Sequence, residues 1–378
     1  MYHSIRSSIL RKSCYSCSDS FPAPSAPSFA SVDQSTALSL VGRSSTSLTK
    51  LNEPKWHPPY KLYKVLASHA GVVNSVCMDP SNEFFSTGSG DCTIKLWDLA
   101  SGKVKLTLTS HSSPVRALTT DARWPYLFSS SDDKQIFVHD LASLNNAKVR
   151  SFFGHSSTVT HLTLHPTLPI LFSGGRDKSI KVWDIRSPKP VLSLTGHLDS
   201  IAGIAAESAE PQLITSSFDF TIKLWDLKMA RCISTLTHHS KPPRIAIHPV
   251  HYSFASADST VVKTWRLPEG KLLNNVRDHS GSVINKIVLS DDDVMIGATN
   301  DGRLFCWDYL SGHNFQQINV DFPGSSLGET TIKDIVFDQS QSRLIAGCGD
   351  HTVKLFKIDD GVEPTVIDWT PPEEEVWF

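Results

Sequence analysis

The sequence predicts an all-β chain folded as a seven-bladed β-propeller whose ring is closed by a strand near the N-terminus. Three observations predict it: a short motif recurs seven times, a histidine precedes most copies at a constant distance, and the intervening runs alternate apolar and polar residues.

The motif consists of small residues, an aspartate, and a β-branched or aliphatic stretch ending in an aromatic and an acid. It reads STGSGDCTIKLWD at 86–98, SSSDDKQIFVHD at 129–140, SGGRDKSIKVWD at 173–184 and TSSFDFTIKLWD at 215–226. Weaker copies end at Arg266, Asp308 and Lys357. The aromatic positions Trp97, His139, Trp183, Trp225, Trp265, Trp307 and Phe356 are 42, 44, 42, 40, 42 and 49 residues apart, the period of a four-stranded blade. A histidine stands 22 residues before the aspartate in five copies: His69 with Asp91, His111 with Asp133, His155 with Asp177, His197 with Asp219 and His279 with Asp301.

Alternating runs such as VVNSVCM, PVRALTT and TVTHLTL, bounded by Pro, Asn, Asp and Ser, supply the remaining strands. A lone blade cannot cover both faces of its own sheet, so neighbours must stack on it and the ring must close. Outer strands read KVKLTL, KVRSFF, PVLSL, RCISTL, KLLNNV and NFQQINV, and a seventh is missing at the C-terminal end. KLYKVL at 61–66 stands in the same register before the first histidine. It is expected to pair with the last unit and remove an exposed edge.

The recurring polar set has a scaffold purpose: aspartate accepts from imidazole, imidazole bridges to a hydroxyl, and the indole N–H gains a buried partner. Blades 1, 3 and 4 hold complete sets: His69, Thr87, Asp91, Trp97; His155, Ser173, Asp177, Trp183; His197, Thr215, Asp219, Trp225. Blade 2 has His139 for Trp, blade 6 has Gly297 for the hydroxyl, and blades 5 and 7 are degenerate and expected to be less rigid. The same residue types suggest a hydrolase. A nucleophile, however, needs one activated, accessible copy beside an oxyanion site, and this trio is repeated around a ring. No catalytic residue, cofactor or small-molecule substrate is expected. No metal is expected either: Cys14 and Cys17 form the only C-x-x-C, and His238, His239, His248 and His251 fall in turns without a thiol or carboxylate pattern.

With 40% apolar residues, 20% charged residues and a net charge of -2, the chain is neither a general nucleic-acid binder nor a membrane-surface protein. No apolar run approaches the roughly 18 residues that span a bilayer. Seven cysteines, odd in number and scattered through predicted strands, point to free thiols in a reducing compartment. The reading is a soluble intracellular protein with three parts: a disordered Ser/Pro-rich arm at 1–55, the propeller at 56–358 and an acidic tail at 359–378. Fifteen serines lie in residues 1–50, and Arg6, Arg11 and Lys12 give the first residues a transit-peptide-like composition without a repeated arginine-bearing face.

Propeller partners are expected on the rim. The residue after each first-strand valine and the residue before each turn aspartate place Arg116, Arg176, Phe218 and Arg244 there as candidate contacts.

The repeats resemble the WD-repeat family, and several strings are similar to one branch of it, the pleiotropic regulator family of splicing factors. These are KWHPPYKLYKVLASH at 55–69, DLASGKVKLTL at 98–108, YLFSSSDDKQ at 126–135, LHPTLPILFSGGRD at 164–177, SGHNFQ at 311–316 and FDQSQSRL at 337–344. The likeness runs from Leu51 to Lys357. The resemblance implies a non-catalytic scaffold of the Prp-nineteen-associated complex in the nuclear spliceosome, docking splicing proteins near small nuclear RNA. Family members carry a longer N-terminal segment and a basic tail, so contacts made by those parts are not implied for a chain ending EEEVWF. A second reading, from another class, is substrate receptor of a cullin-RING ubiquitin ligase, because Trp183, Asp184 and Arg186 form a W-D-x-R box like those that dock on the ligase adaptor.

Overall fold

The computed structural model describes residues 53–142, 148–238, 244–259, 261–276, 281–320, 331–359 and 361–363. The strands there form seven four-stranded antiparallel sheets. Blade 1 comprises Val73–Met78, Phe84–Ser89, Ile94–Asp98 and Val104–Leu108, in that order from the axis outward. The innermost strands of blades 2 to 7 are Val115–Thr120, Val159–Leu164, Ile201–Ala206, Arg244–Ile247, Ile284–Leu289 and Ile332–Phe337. Each touches the next and the seventh returns to the first, so the ring is closed. The expected outer strands are found at Val104–Leu108, Lys148–Phe152, Pro190–Leu194, Arg231–Thr237, Lys271–Val276 and Asn314–Asn319.

Alternation along each strand sends side chains to opposite faces of the sheet, and both faces are apolar. In blade 1, Ile94 and Leu96 pack with Val115, Leu118 and Leu127 of blade 2. Phe85 and Trp97 turn the other way, onto Ile345, Val353 and Leu355 of blade 7. The same division gives seven core clusters, each shared by two consecutive blades. The interior is therefore a ring of interfaces, and no sheet has a core of its own.

Closure occurs as expected. Tyr60–Ala67 pairs antiparallel with Thr352–Ile358, from Tyr60 opposite Ile358 to Ala67 opposite Thr352, with a bulge between Leu62 and Lys64. Tyr60 enters the core between blades 6 and 7, and Leu66 enters the core between blades 7 and 1. Gln316 of blade 6 grips the Tyr60 backbone twice: its Oε1 accepts from Tyr60 N at 2.7 Å and its Nε2 donates to Tyr60 O at 2.8 Å. Buried His57 lies 3.2 Å from Asp308 Oδ1 and ties the segment before the strand to the same blade.

Residues 1–52 of the expected arm and 364–378 of the acidic tail lie outside the described residues, as do Cys14, Cys17, His239 and His279. The five described cysteines are free thiols.

Deleting residues 60–66 strips the last sheet of its outer strand and opens two core clusters. A sharply lower midpoint of thermal unfolding is expected, and an unaltered melting curve would contradict the latch. Gln316→Ala removes two hydrogen bonds to one backbone unit and is expected to cost about 1–3 kcal/mol in denaturant unfolding.

Candidate functional site

The complete polar sets assemble as hydrogen-bonded relays. In blade 3, Trp183 Nε1 donates to Ser173 Oγ at 2.8 Å, Ser173 Oγ lies 2.6 Å from His155 Nε2, and His155 Nδ1 lies 2.8 Å from Asp177 Oδ2. Because the ionised carboxylate can only accept, the imidazole turns an N–H on Nδ1 toward it, and the Ser173 hydroxyl accepts from the indole while facing Nε2. Blade 1 repeats the relay through Trp97, Thr87, His69 and Asp91 at 2.8, 2.7 and 2.9 Å. Blade 4 repeats it through Trp225, Thr215, His197 and Asp219 at 2.7, 2.9 and 3.0 Å.

Each aspartate also collects backbone and side-chain donors. Asp219 accepts from Leu198 N at 2.8 Å and from the Thr221 hydroxyl. Burial alone raises its pKa, but the donors outweigh that, and the carboxyls of Asp91, Asp177 and Asp219 are held down at about 2. Burial lowers the pKa of His69 and His197 despite their aspartates. The His69–Asp91 and His197–Asp219 pairs are thus each an anion beside a neutral ring. The hydroxyl oxygens are sealed beneath the indoles, and Thr87, Ser173 and Thr215 are all 0% exposed. This is the connectivity of a hydrolytic triad without access for a substrate.

Departures from the pattern have local reasons. In blade 2, His139 replaces the indole, with Nε2 3.1 Å from Ser129 Oγ. Blade 5, read from sequence as degenerate, holds a full relay: Trp265 Nε1 to Ser256 Oγ at 2.7 Å, Ser256 to His238 Nε2 at 2.7 Å, His238 Nδ1 to Asp258 Oδ2 at 3.2 Å. The histidine and hydroxyl keep their 18-residue separation, but a shorter turn brings the aspartate to 20 residues from the histidine and the tryptophan to 9 from the serine. A search at a fixed interval of 22 misses it. In blade 6 the Trp307 ring lies 2.7 Å from where a Cβ on Gly297 would stand, so the ring takes the room of the missing hydroxyl. In blade 7, Lys354 Nζ reaches Asp350 Oδ2 at 2.7 Å, a buried ion pair in place of imidazole and carboxylate.

The four rim candidates do not form one patch. Arg116 is exposed and clamped on Asp132, with Nε 3.0 and 2.9 Å from its two oxygens. Arg176 and Phe218 are exposed on neighbouring turns of blades 3 and 4. Arg244 sits elsewhere. A bulge follows the first residue of the innermost strand in blades 1, 2, 3, 4, 6 and 7. Arg244 pairs with Ala257 and Ile245 with Ser256, so Arg244 aligns with His161 and Gly203, beyond the bulge, and not with Arg116. It faces the axis.

What the rim does offer is an apolar cluster on blade 4: Leu198, Phe218 and Phe220 are 79%, 45% and 47% exposed. Phe218 N donates to Ser200 O and Leu198 N to Asp219, which binds the two loops together, and Lys178 Nζ of blade 3 donates to Leu198 O at 2.7 Å. Phe220 stands at φ 63, a conformation that bulky residues seldom adopt. Sequence reading passed over Leu198 and Phe220, because an apolar residue in a loop carries no periodic signal.

On the opposite face, a cavity of about 230 Å³ lies between blades 2 and 3 against Trp124, Val149, Ile185 and Arg186. Trp183 of the W-D-x-R box is 0% exposed and occupied with Ser173, and Asp184 Oδ1 accepts from Arg186 N at 2.9 Å. The box is thus a turn with a buried anchor, and its Trp cannot meet an adaptor.

Among the described residues, His248, His251 and Asp293 form the one group of three metal-type donors. His248 Nδ1 accepts from Val250 N at 3.1 Å and His251 N at 3.0 Å, so its proton is on Nε2, 3.3 Å from Asp293 Oδ1. His165 makes the same turn, accepting from Thr167 N and Leu168 N. These histidines close loops, and His248 has no free lone pair for a cation.

Comparison with known proteins agrees with this architecture. The family model described as WD domain, G-beta repeat matches residues 60–98, 102–140, 146–184, 188–226 and 316–357. The pre-mRNA-splicing factor PRP46 of Kluyveromyces lactis is 49% identical over 328 residues, covering 85% of this chain and 75% of that protein. Protein pleiotropic regulator PRL2 of Arabidopsis thaliana is 42% identical over 324 residues, 85% of this chain and 67% of its own length. Pleiotropic regulator 1 of Homo sapiens is 46% identical over 322 residues, 84% of this chain and 62% of its own length.

Acidification is expected to unfold the ring in two stages. Below pH 6.5 the unfolded chain protonates histidines that the folded chain keeps neutral at 69 and 197, so stability falls. The aspartates contribute stability above their unfolded value of 3.8 that is lost as pH drops toward about 2. Ser173→Ala leaves the Trp183 N–H and His155 Nε2 unsatisfied and is expected to cost about 1–3 kcal/mol. Urea unfolding of the variant and of the parent between pH 7 and pH 3 checks both.

Proposed function

This chain belongs to the WD-domain family that includes the PRP46 splicing factors and the pleiotropic regulators, and we propose that it is a non-catalytic scaffold acting in pre-mRNA splicing. Protein partners in the splicing machinery follow from the named relatives. The finer reading is a component of the Prp-nineteen-associated complex, working in the nucleus with small nuclear RNA nearby.

One observation carries the scaffold role. The residue types that would do chemistry are consumed in holding blades together, whereas Leu198, Phe218 and Phe220, three of the apolar side chains left in solvent, project from adjoining turns beside Arg176 and Lys178. Exposed aromatics on a fixed frame with cations around them are what a docking surface needs. Nothing in the relatives' names speaks for the ligase-receptor alternative.

Affinity purification of the full chain followed by mass spectrometry tests this reading. Recovery of splicing proteins and small nuclear RNAs is expected. Phe218→Ala combined with Phe220→Ala should lower recovery of at least one direct partner about tenfold with the melting point unchanged. Recovery of cytoplasmic kinases or vesicle coats alone would overturn the function, and undiminished recovery by the double variant would overturn the docking face.

A further inference from the structure

The cavity between blades 2 and 3 opens on the face from which the chain leaves its last strand. Ile185 N donates to Pro169 O at 3.2 Å where the third strand of blade 3 ends, and Ile358 N donates to Ser342 O at 3.2 Å at the corresponding point of blade 7. Ile185 and Pro169 line the cavity, so the residues after Ile358 leave blade 7 on the cavity's own face. Asp359 N then donates to Pro59 O at 2.9 Å, which fixes the exit beside the start of the latch strand, and Val362 is exposed.

The cavity is apolar with a basic border. Trp124 and Val149, 50% and 51% exposed, stand against it with Pro169 and Ile185, and Arg150 and Arg186 close its edge. Arg150 donates to the carbonyl of Ile185, while Arg186 is exposed, as are Lys148 and Lys189 in the adjoining segments. Among the described residues none of these four cations is held in an ion pair with a carboxylate. The carboxylates of the same turns are engaged already: Asp121 with Arg123 at 2.9 Å, Asp140 with Ala142 N at 2.9 Å and Asp184 with Arg186 N at 2.9 Å. A half-covered indole and valine over a cavity, edged by uncommitted cations, suit a segment that is both aromatic and acidic.

The chain carries such a segment. Residues 364–378, outside the described structure, read PTVIDWTPPEEEVWF, with four acids, no base, and Trp377 two positions after Glu375. Stacked sheets lie roughly 10 Å apart, so the two and a half blades between the exit and the cavity amount to roughly 25 Å at mid-blade and somewhat more at the rim. The chain from Glu363 to Trp377 reaches at most about 46 Å when extended, enough to cross that interval. Tethering over such a length gives an effective concentration on the order of millimolar, so an apolar contact of modest affinity suffices and exposed ion pairs need add little.

We propose that residues 364–378 fold back across blades 1 and 2 and cover this cavity, with Trp377 seated against Trp124, Val149 and Ile185 and with Glu373, Glu374 and Glu375 facing Arg150 and Arg186. The chain thereby occupies its own groove, and a partner segment of the same chemistry must compete with a tethered copy. Neither the splicing role nor the blade 4 face is required for this contact.

The test substitutes photoreactive benzoylphenylalanine for Trp377 in the full chain, irradiates it and maps the cross-linked peptides by mass spectrometry. Cross-links within one chain to the segments around Trp124, Val149 or Ile185 are expected, in a yield that tenfold dilution leaves unchanged. Val149→Asp should lower that yield about tenfold. Arg186→Glu should lower it about fivefold and regain it when combined with Glu373→Lys, Glu374→Lys and Glu375→Lys, a rescue that a folding defect would not show. Cross-links that fade on dilution would overturn the proposal in favour of a second copy as donor of the tail. Cross-links to Leu198, Phe218 or Phe220, no cross-link within the chain, or a yield indifferent to both Val149→Asp and Arg186→Glu would overturn it outright.

Discussion

Everything in this molecule depends on apolar surface that no blade can cover by itself. Both faces of every sheet are lined with Val, Ile, Leu, Phe and Trp, and each of the seven clusters draws on two neighbours. Burial of such side chains is worth roughly 1.5–3 kcal/mol each, so a missing neighbour would expose a surface costing far more than the few kcal/mol by which domains are stable. Closure is thus a requirement of stability. It explains why a strand from before the first blade is drawn into the last, with side chains in the clusters on both sides of it.

The polar relays are subordinate to that packing. An indole fills space between blades but brings an N–H that must be satisfied, the hydroxyl beneath it supplies the acceptor, and the histidine and aspartate carry the polarity out to a turn at the surface. Where the filler changes, the relay changes with it. His139 accepts or donates at the same hydroxyl in blade 2, the Trp307 ring occupies the hydroxyl's place in blade 6, and Lys354 with Asp350 substitutes an ion pair in blade 7. The arrangement shares its connectivity with hydrolytic triads because both hold a neutral imidazole between a carboxylate and a hydroxyl. Burial decides that here the result is structural.

A rigid ring leaves function to the parts that are not consumed in building it. Among those parts are apolar side chains held out from the turns of blade 4, and cations held inward at the axis. Both occur on the face where the relays end, so the turns that anchor the scaffold also fix the groups that partners meet.

The sequence by itself determined the architecture, since blade number, outer strands, latch and the relays of blades 1, 3 and 4 all follow from local patterns repeated at near-constant spacing. A side chain's face and a turn's register are properties of neighbouring residues, and repetition made them readable. Only the tertiary structure decided the rest. Blade 5's relay was hidden by a turn of different length, Arg244 moved from rim to axis because the bulge shifts its register by one, and Leu198 and Phe220 carry no sequence signal at all. Their meaning depends on what lies across a loop or across the channel, from residues tens to hundreds of positions away, and that juxtaposition exists only once the ring has closed.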